Sequence, residues 1–166
     1  CWSGTCLELS MTFSNLRDYQ WDRLVKAIWQ YPGMTGPFEK RYTPQAPIPA
    51  VVSFGTPEPA ATFSQFGAFE VASSVQIGVE VLITRSLFEC VTVSIPLAMF
   101  QDIDDDDQQV LEKVLYQLAL KLYQVTVFEL ATISMDGGCT LLTELVSDEN
   151  ARVSLLQAGN FLASDD

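Results

Sequence analysis

Five aspartates stand within six positions, at Asp102, Asp104, Asp105, Asp106 and Asp107, a density of carboxylate that could hold a hard cation, attract a basic partner or seat the start of a helix. A calcium loop begun at Asp102 requires glycine at its sixth position and glutamate at its twelfth, where this chain has Asp107 and Lys113. One begun at Asp104 meets Gln109 and Leu115 in those places. The run is therefore read as an acidic patch with no metal assigned to it. Behind it, Leu111, Val114, Leu115, Leu118 and Leu122 recur at helical spacing and predict a helix over residues 108–124. Asp106 with Gln109 three residues later has the pattern of a capping box, and aspartates in a first turn favour the positive end of the helix dipole.

Other chemistry is sparse. The chain has no histidine, which removes Ser-His-Asp and Cys-His arrangements and any imidazole base. Neither a G-x-x-x-x-G-K-[ST] loop nor a G-x-G-x-x-G turn is present. Four cysteines, Cys1, Cys6, Cys90 and Cys139, include no C-x-x-C pair, and Cys90 falls inside an apolar strand pattern as a small buried hydrophobe would. Carboxylates remain as a possible acid-base pair, since Glu70, Glu80, Glu89 and Glu129 all fall on predicted strands. Glu80 and Glu89, however, are expected on opposite faces of the sheet. No catalytic residue and no cofactor is assigned, and the expectation is a protein that is not an enzyme.

The elements that would carry these residues follow from periodicity. Leu16, Trp21, Leu24, Val25, Ile28 and Trp29 predict a first helix over residues 15–31, capped by Ser14 or Thr12 and ended by Pro32 and Gly33. The following stretch, YPGMTGPFEKRYTPQAPIP, is too rich in proline and glycine for regular structure and is read as an ordered loop, with a short strand at residues 50–54. Val75, Ile77, Val79, Val81 and Ile83 alternate with Gln76, Gly78, Glu80, Leu82 and Thr84, and Leu87, Val91, Val93 and Ile95 share one side of the next strand. A one-residue slip would turn one apolar set outward, so a three-residue loop at Thr84, Arg85 and Ser86, or a bulge, is expected between them. Residues 62–72 form the strand before this hairpin, with Gly67 as a bulge. After the second helix, VTVFELATIS and CTLLTELV read as strands about an MDGG turn, and residues 148–158 as a short helix with an edge strand as its rival. The class is α+β: an antiparallel sheet of about five strands with helices packed on one face, in the order α-β-β-β-α-β-β-(α).

On the second helix Tyr116, Leu120 and Tyr123 recur on a flank apart from the leucine stripe, together with Lys113. That flank is either covered by a loop such as the proline-rich segment or open to another chain, because tyrosine brings an apolar body with a polar tip to interfaces.

The net charge of −12 is uneven, with eight acids and six bases in residues 1–100 against thirteen acids and three bases in residues 101–166. Such a balance argues against nucleic acid, whose phosphates need Lys and Arg, and allows a basic protein partner. No apolar run approaches the ~18 residues that span a bilayer, so no membrane contact is expected and the cytoplasm is the expected compartment. Met11 has the look of a translation start, which sets residues 1–11 apart as an N-terminal extension or remnant, residues 12–163 as one domain and residues 164–166 as an acidic tail. An acylated Cys1 is the competing reading of that end.

In element order, and in the segments ISMDGG, CTLLTELV and DENARVSLLQAG, the chain resembles the secretion-chaperone-like fold of YbjN proteins and the small, acidic, dimeric type III secretion chaperones. The resemblance implies a homodimer that binds another polypeptide, with the second helix near the two-fold axis. The expected function is thus a chaperone-like, acidic protein-binding domain. Its alternative is an inhibitor or immunity-type protein covering a basic site on a toxin or nuclease.

Overall fold

Strict alternation builds the centre of the sheet. In the computed structural model, which describes residues 5–53, 58–72, 75–86, 89–97, 105–135 and 161–162, strand β1 (Cys6–Phe13) turns Leu7, Leu9, Met11 and Phe13 into the core. Cys6, Glu8, Ser10 and Thr12 alternate with them and so take the other face. Helix α1 (Asp18–Trp29) follows, then strands β2 (Met34–Phe38), β3 (Ala61–Ala72), β4 (Val75–Arg85) and β5 (Glu89–Pro96), helix α2 (Asp105–Val125), strand β6 (Leu130–Met135) and the two-residue strand β7 (Phe161–Leu162). The strands form one sheet in the order β2-β3-β4-β5-β1-β6-β7, each antiparallel to its neighbours.

Strand direction alternates across the sheet, so β2 runs parallel to β1 while β5 and β6 run against it. Helix α1 links β1 to β2 and α2 links β5 to β6, so the two helices run in opposite senses. They touch one another, with α1 reaching toward β2 and α2 lying over β1 and β6. Both bury their apolar stripes in a single core with one face of the sheet. Trp21, Leu24, Val25, Ile28 and Trp29 come from α1, and Leu111, Leu115, Leu118, Ala119 and Leu122 from α2. Each fully buried leucine is worth roughly 1.5–3 kcal/mol relative to exposure.

The α+β class, the antiparallel sheet and the one-sided helices agree with the sequence reading, and the sheet is wider than the five strands expected. Its greatest departure is β1. Residues 6–11, read as part of an extension outside the domain, pair along their length with β5 on one side and mostly with β6 on the other. Thr12 is consequently a strand residue and Ser14 a partner of Glu129, so neither caps α1. The helix starts at Asp18 after Arg17, whose N–H donates to Gln20 Oε1 at 2.9 Å. Between strand and helix, Asn15 takes a left-handed φ of 50°, a conformation that asparagine tolerates.

Three further corrections concern strands. Part of the proline-rich segment is strand β2, held by β3. In the β4–β5 hairpin Ile83 lies opposite Val91 and Arg85 opposite Glu89, so Thr84 and Arg85 belong to the strand and the connection begins at Ser86. The shift is even, so the two apolar sets still share a face, and Arg85 gains an ion pair with Asp18 at 2.5 Å and a place over the Trp21 ring. Gly67 is not a bulge, since it sits in register opposite Val79 while the irregularity lies between Glu70 and Ala72. What demands glycine there is the Trp29 indole, which a Cβ on Gly67 would overlap. The predicted strand over residues 139–146, the short helix over 148–158 and the tail at 164–166 lie outside the described residues.

Candidate interaction surface

Helix α2 carries more apolar residues than its core stripe needs. Tyr116 is 45% exposed and Leu120 is 44% exposed, and Lys113 is exposed beside them. Tyr116, Leu120 and Lys113 lie three or four residues apart and so share the side of the helix turned from the sheet. Tyr123, placed with them from the sequence, departs from the group. It is half-buried and packs edge-on against Phe128 with ring centroids 5.0 Å apart. Phe128 in turn meets Phe13 edge-on, so Tyr123 closes one end of the core.

The loop that could have covered this flank goes elsewhere. Phe38, Tyr42 and Ala68 form a small cluster apart from the main core. Arg41 lies over the Phe66 ring and pairs with Glu80 at 3.6 Å. Phe66, Ala68 and Glu80 occupy the sheet face opposite the helices, since Gln65 and Gly67, which alternate with them, are the residues that meet Trp29 of α1. Phe38, Arg41 and Tyr42 of the proline-rich segment therefore pack on the far face from α2.

That far face is unusual in its chemistry. One row across the strands reads Glu80, Ser94, Glu8 and Ser134, and the next reads Leu82, Thr92, Ser10 and Thr132. Glu80, Ser94, Thr92, Ser10 and Thr132 are all buried. Ser64 donates to Glu80 Oε1 at 2.7 Å, Ser94 to Glu8 at 3.3 Å, and Ser10 and Thr92 share a hydrogen bond of 3.0 Å. The hydroxyls of Thr12, Thr132 and Ser134 are buried without a hydrogen-bond partner. A hydroxyl left unpaired away from water is destabilising, and an isosteric apolar side chain removes the penalty. Thr132→Val is accordingly expected to raise stability by about 1 kcal/mol in urea unfolding. A loss of similar size would show that the hydroxyl has a partner in solution.

The strand carboxylates do not converge. Glu80 and Glu89 lie on opposite faces, as the register requires. Glu89 Oε2 accepts the Leu16 N–H at 2.9 Å, Glu129 accepts the Ser14 hydroxyl, and Glu70 is exposed opposite Gln76. In the acidic run, α2 already begins at Asp105, so Asp106 lies within the first turn rather than at the cap, and its side chain is exposed. Asp102 and Asp104 lie outside the described residues. Among the described residues no three potential ligands from His, Cys, Asp or Glu gather into a metal-binding group. Cys6 and Cys90 are both buried. No helix among the described residues is long and apolar enough to cross a membrane.

Comparison with known protein families, with characterised proteins and with solved structures gave no match.

Proposed function

We propose that the chain is an acidic, chaperone-like protein-binding domain without catalytic activity, working as a homodimer in the cytoplasm and holding another polypeptide. The observation that carries this reading is the exposed pair Tyr116 and Leu120 on a helix whose core stripe is complete without them. A second copy is the occupant of that flank. A two-fold axis across α2 sets the same short strip against itself, the commonest arrangement among soluble oligomers. The resemblance to secretion chaperones, which placed the second helix at the axis, supports the same choice. A net charge of −12 favours a basic partner elsewhere on the molecule.

Light scattering on a size-exclusion column tests the assembly. The intact chain is expected to elute as a dimer at micromolar concentration, and Tyr116→Lys as a monomer with unchanged thermal unfolding. A wild-type chain that stays monomeric at that concentration removes the dimer. Affinity purification at low and high salt separates the two binding modes, because a partner held mainly by charge is released as salt rises while one held by apolar burial is retained.

A further inference from the structure

Beyond β2, residues 50–52 extend the sheet by a single step. The Val52 N–H donates to the Pro37 carbonyl at 2.8 Å and the Glu39 N–H to the Ala50 carbonyl at 3.3 Å, which makes Phe38 and Val51 a bridged pair. In a pair of this kind the two bonds are made by the flanking residues, so the N–H and C=O of the paired residues themselves point away from each other. Phe38 accordingly turns its own groups toward β3, where it pairs with Phe66. Val51 turns its groups outward, off the edge of the sheet, and no described residue bonds to them.

Pro47 and Pro49 guard the N-terminal side of this edge, but no charged side chain stands at residues 48–52. Exposed edges are ordinarily blunted by charge, above all by lysine. Here Ile48, Val51 and Val52 are 56%, 59% and 38% exposed. An outward N–H and C=O on one residue, flanked by apolar side chains, is the complement of an extended backbone.

We infer that the Val51 edge takes a β-strand from a partner protein, an extended segment with apolar residues at alternate positions, bonded antiparallel through the Val51 N–H and C=O. This rests on the proposal that the protein holds another polypeptide, and it names where. A foreign strand fits better than a second copy. Self-pairing about Val51 would set Pro49 opposite Ser53, and proline has no N–H to give, so one bond would be lost at each end.

The probe is a fluorescent peptide, Lys-Thr-Val-Thr-Val-Thr-Val-Lys, titrated with the full chain and followed by anisotropy. Val51→Pro deletes the outward N–H, which no bond within the fold uses, and is expected to weaken binding about tenfold, while Val51→Thr keeps the backbone and binds as wild type. A peptide N-methylated at alternate residues is expected not to bind. In the wild-type protein the Val51 amide is expected to exchange more slowly with solvent once peptide is added, a readout that does not depend on how well any variant folds. Equal affinity for Val51→Pro, equal affinity for the methylated peptide, or an unprotected Val51 amide in the peptide complex overturns the edge. So does a Val51→Pro chain that falls from dimer to monomer, which would make the occupant a second copy. If the wild type ignores the peptide yet is still recovered with a partner chain on affinity purification, the edge falls and partner binding stands.

Discussion

A chain begun at Met11 will not fold. Removing residues 1–10 takes away most of β1, the strand that lies between β5 and β6. Leu7 and Leu9 leave the core with it, and every ladder bond from β5 and β6 to residues 6–10 is lost. Among the described strands, β1 alone joins β6 and β7 to the other four. Circular dichroism of the shortened chain is expected to show no cooperative thermal transition. A gentler change reads the same strand on a measurable scale. Leu9 is fully buried, and Leu9→Ala should cost about 2–5 kcal/mol in urea unfolding. A shortened chain that melts like the intact one would show that β1 is dispensable.

The strand was legible. CLELSMTF alternates without a break, with Leu7, Leu9, Met11 and Phe13 on one parity and Cys6, Glu8, Ser10 and Thr12 on the other. A methionine in its middle drew the boundary in the wrong place, although the type of a residue says nothing about where a fold begins. Helix α2 and the facing of β4 and β5 were equally legible, because each is dictated by a long run of one period. β2 was not. MTGPF contains a glycine, a proline and no alternation, and it is a strand only because β3 supplies its partners. Tyr123 was misassigned for a related reason. Its spacing from Tyr116 and Leu120 is that of a common flank, and only Phe128, which arrives from the chain after the helix, turns it inward. Exposure of Tyr116 and Leu120 likewise depended on where the proline-rich segment would pack, a question of tertiary structure that spacing leaves open.

Gly67→Ala is expected to be among the most damaging single-atom additions to this protein. The Trp29 ring lies against Gly67 on β3 and Gly36 on β2, with its Nε1 held by Gln65 Oε1 at 2.8 Å. A methyl group on Gly67 would overlap that ring and approach the Thr35 carbonyl to 2.6 Å, and the indole cannot retreat without giving up the Gln65 bond. Overpacking a tight site costs about 1–3 kcal/mol and sometimes more, and this contact, with backbone on one side and a buried ring on the other, belongs at the upper end. The cause can be isolated by a double-mutant cycle. Trp29→Leu alone is destabilising through lost burial, but in that background Gly67→Ala should cost much less than in the wild type, giving a coupling of about 1–3 kcal/mol. An unchanged cost in both backgrounds would move the obstruction from the ring to the Thr35 carbonyl, and glycine at this position would then serve the approach of β2 to β3 rather than the seating of α1 on the sheet.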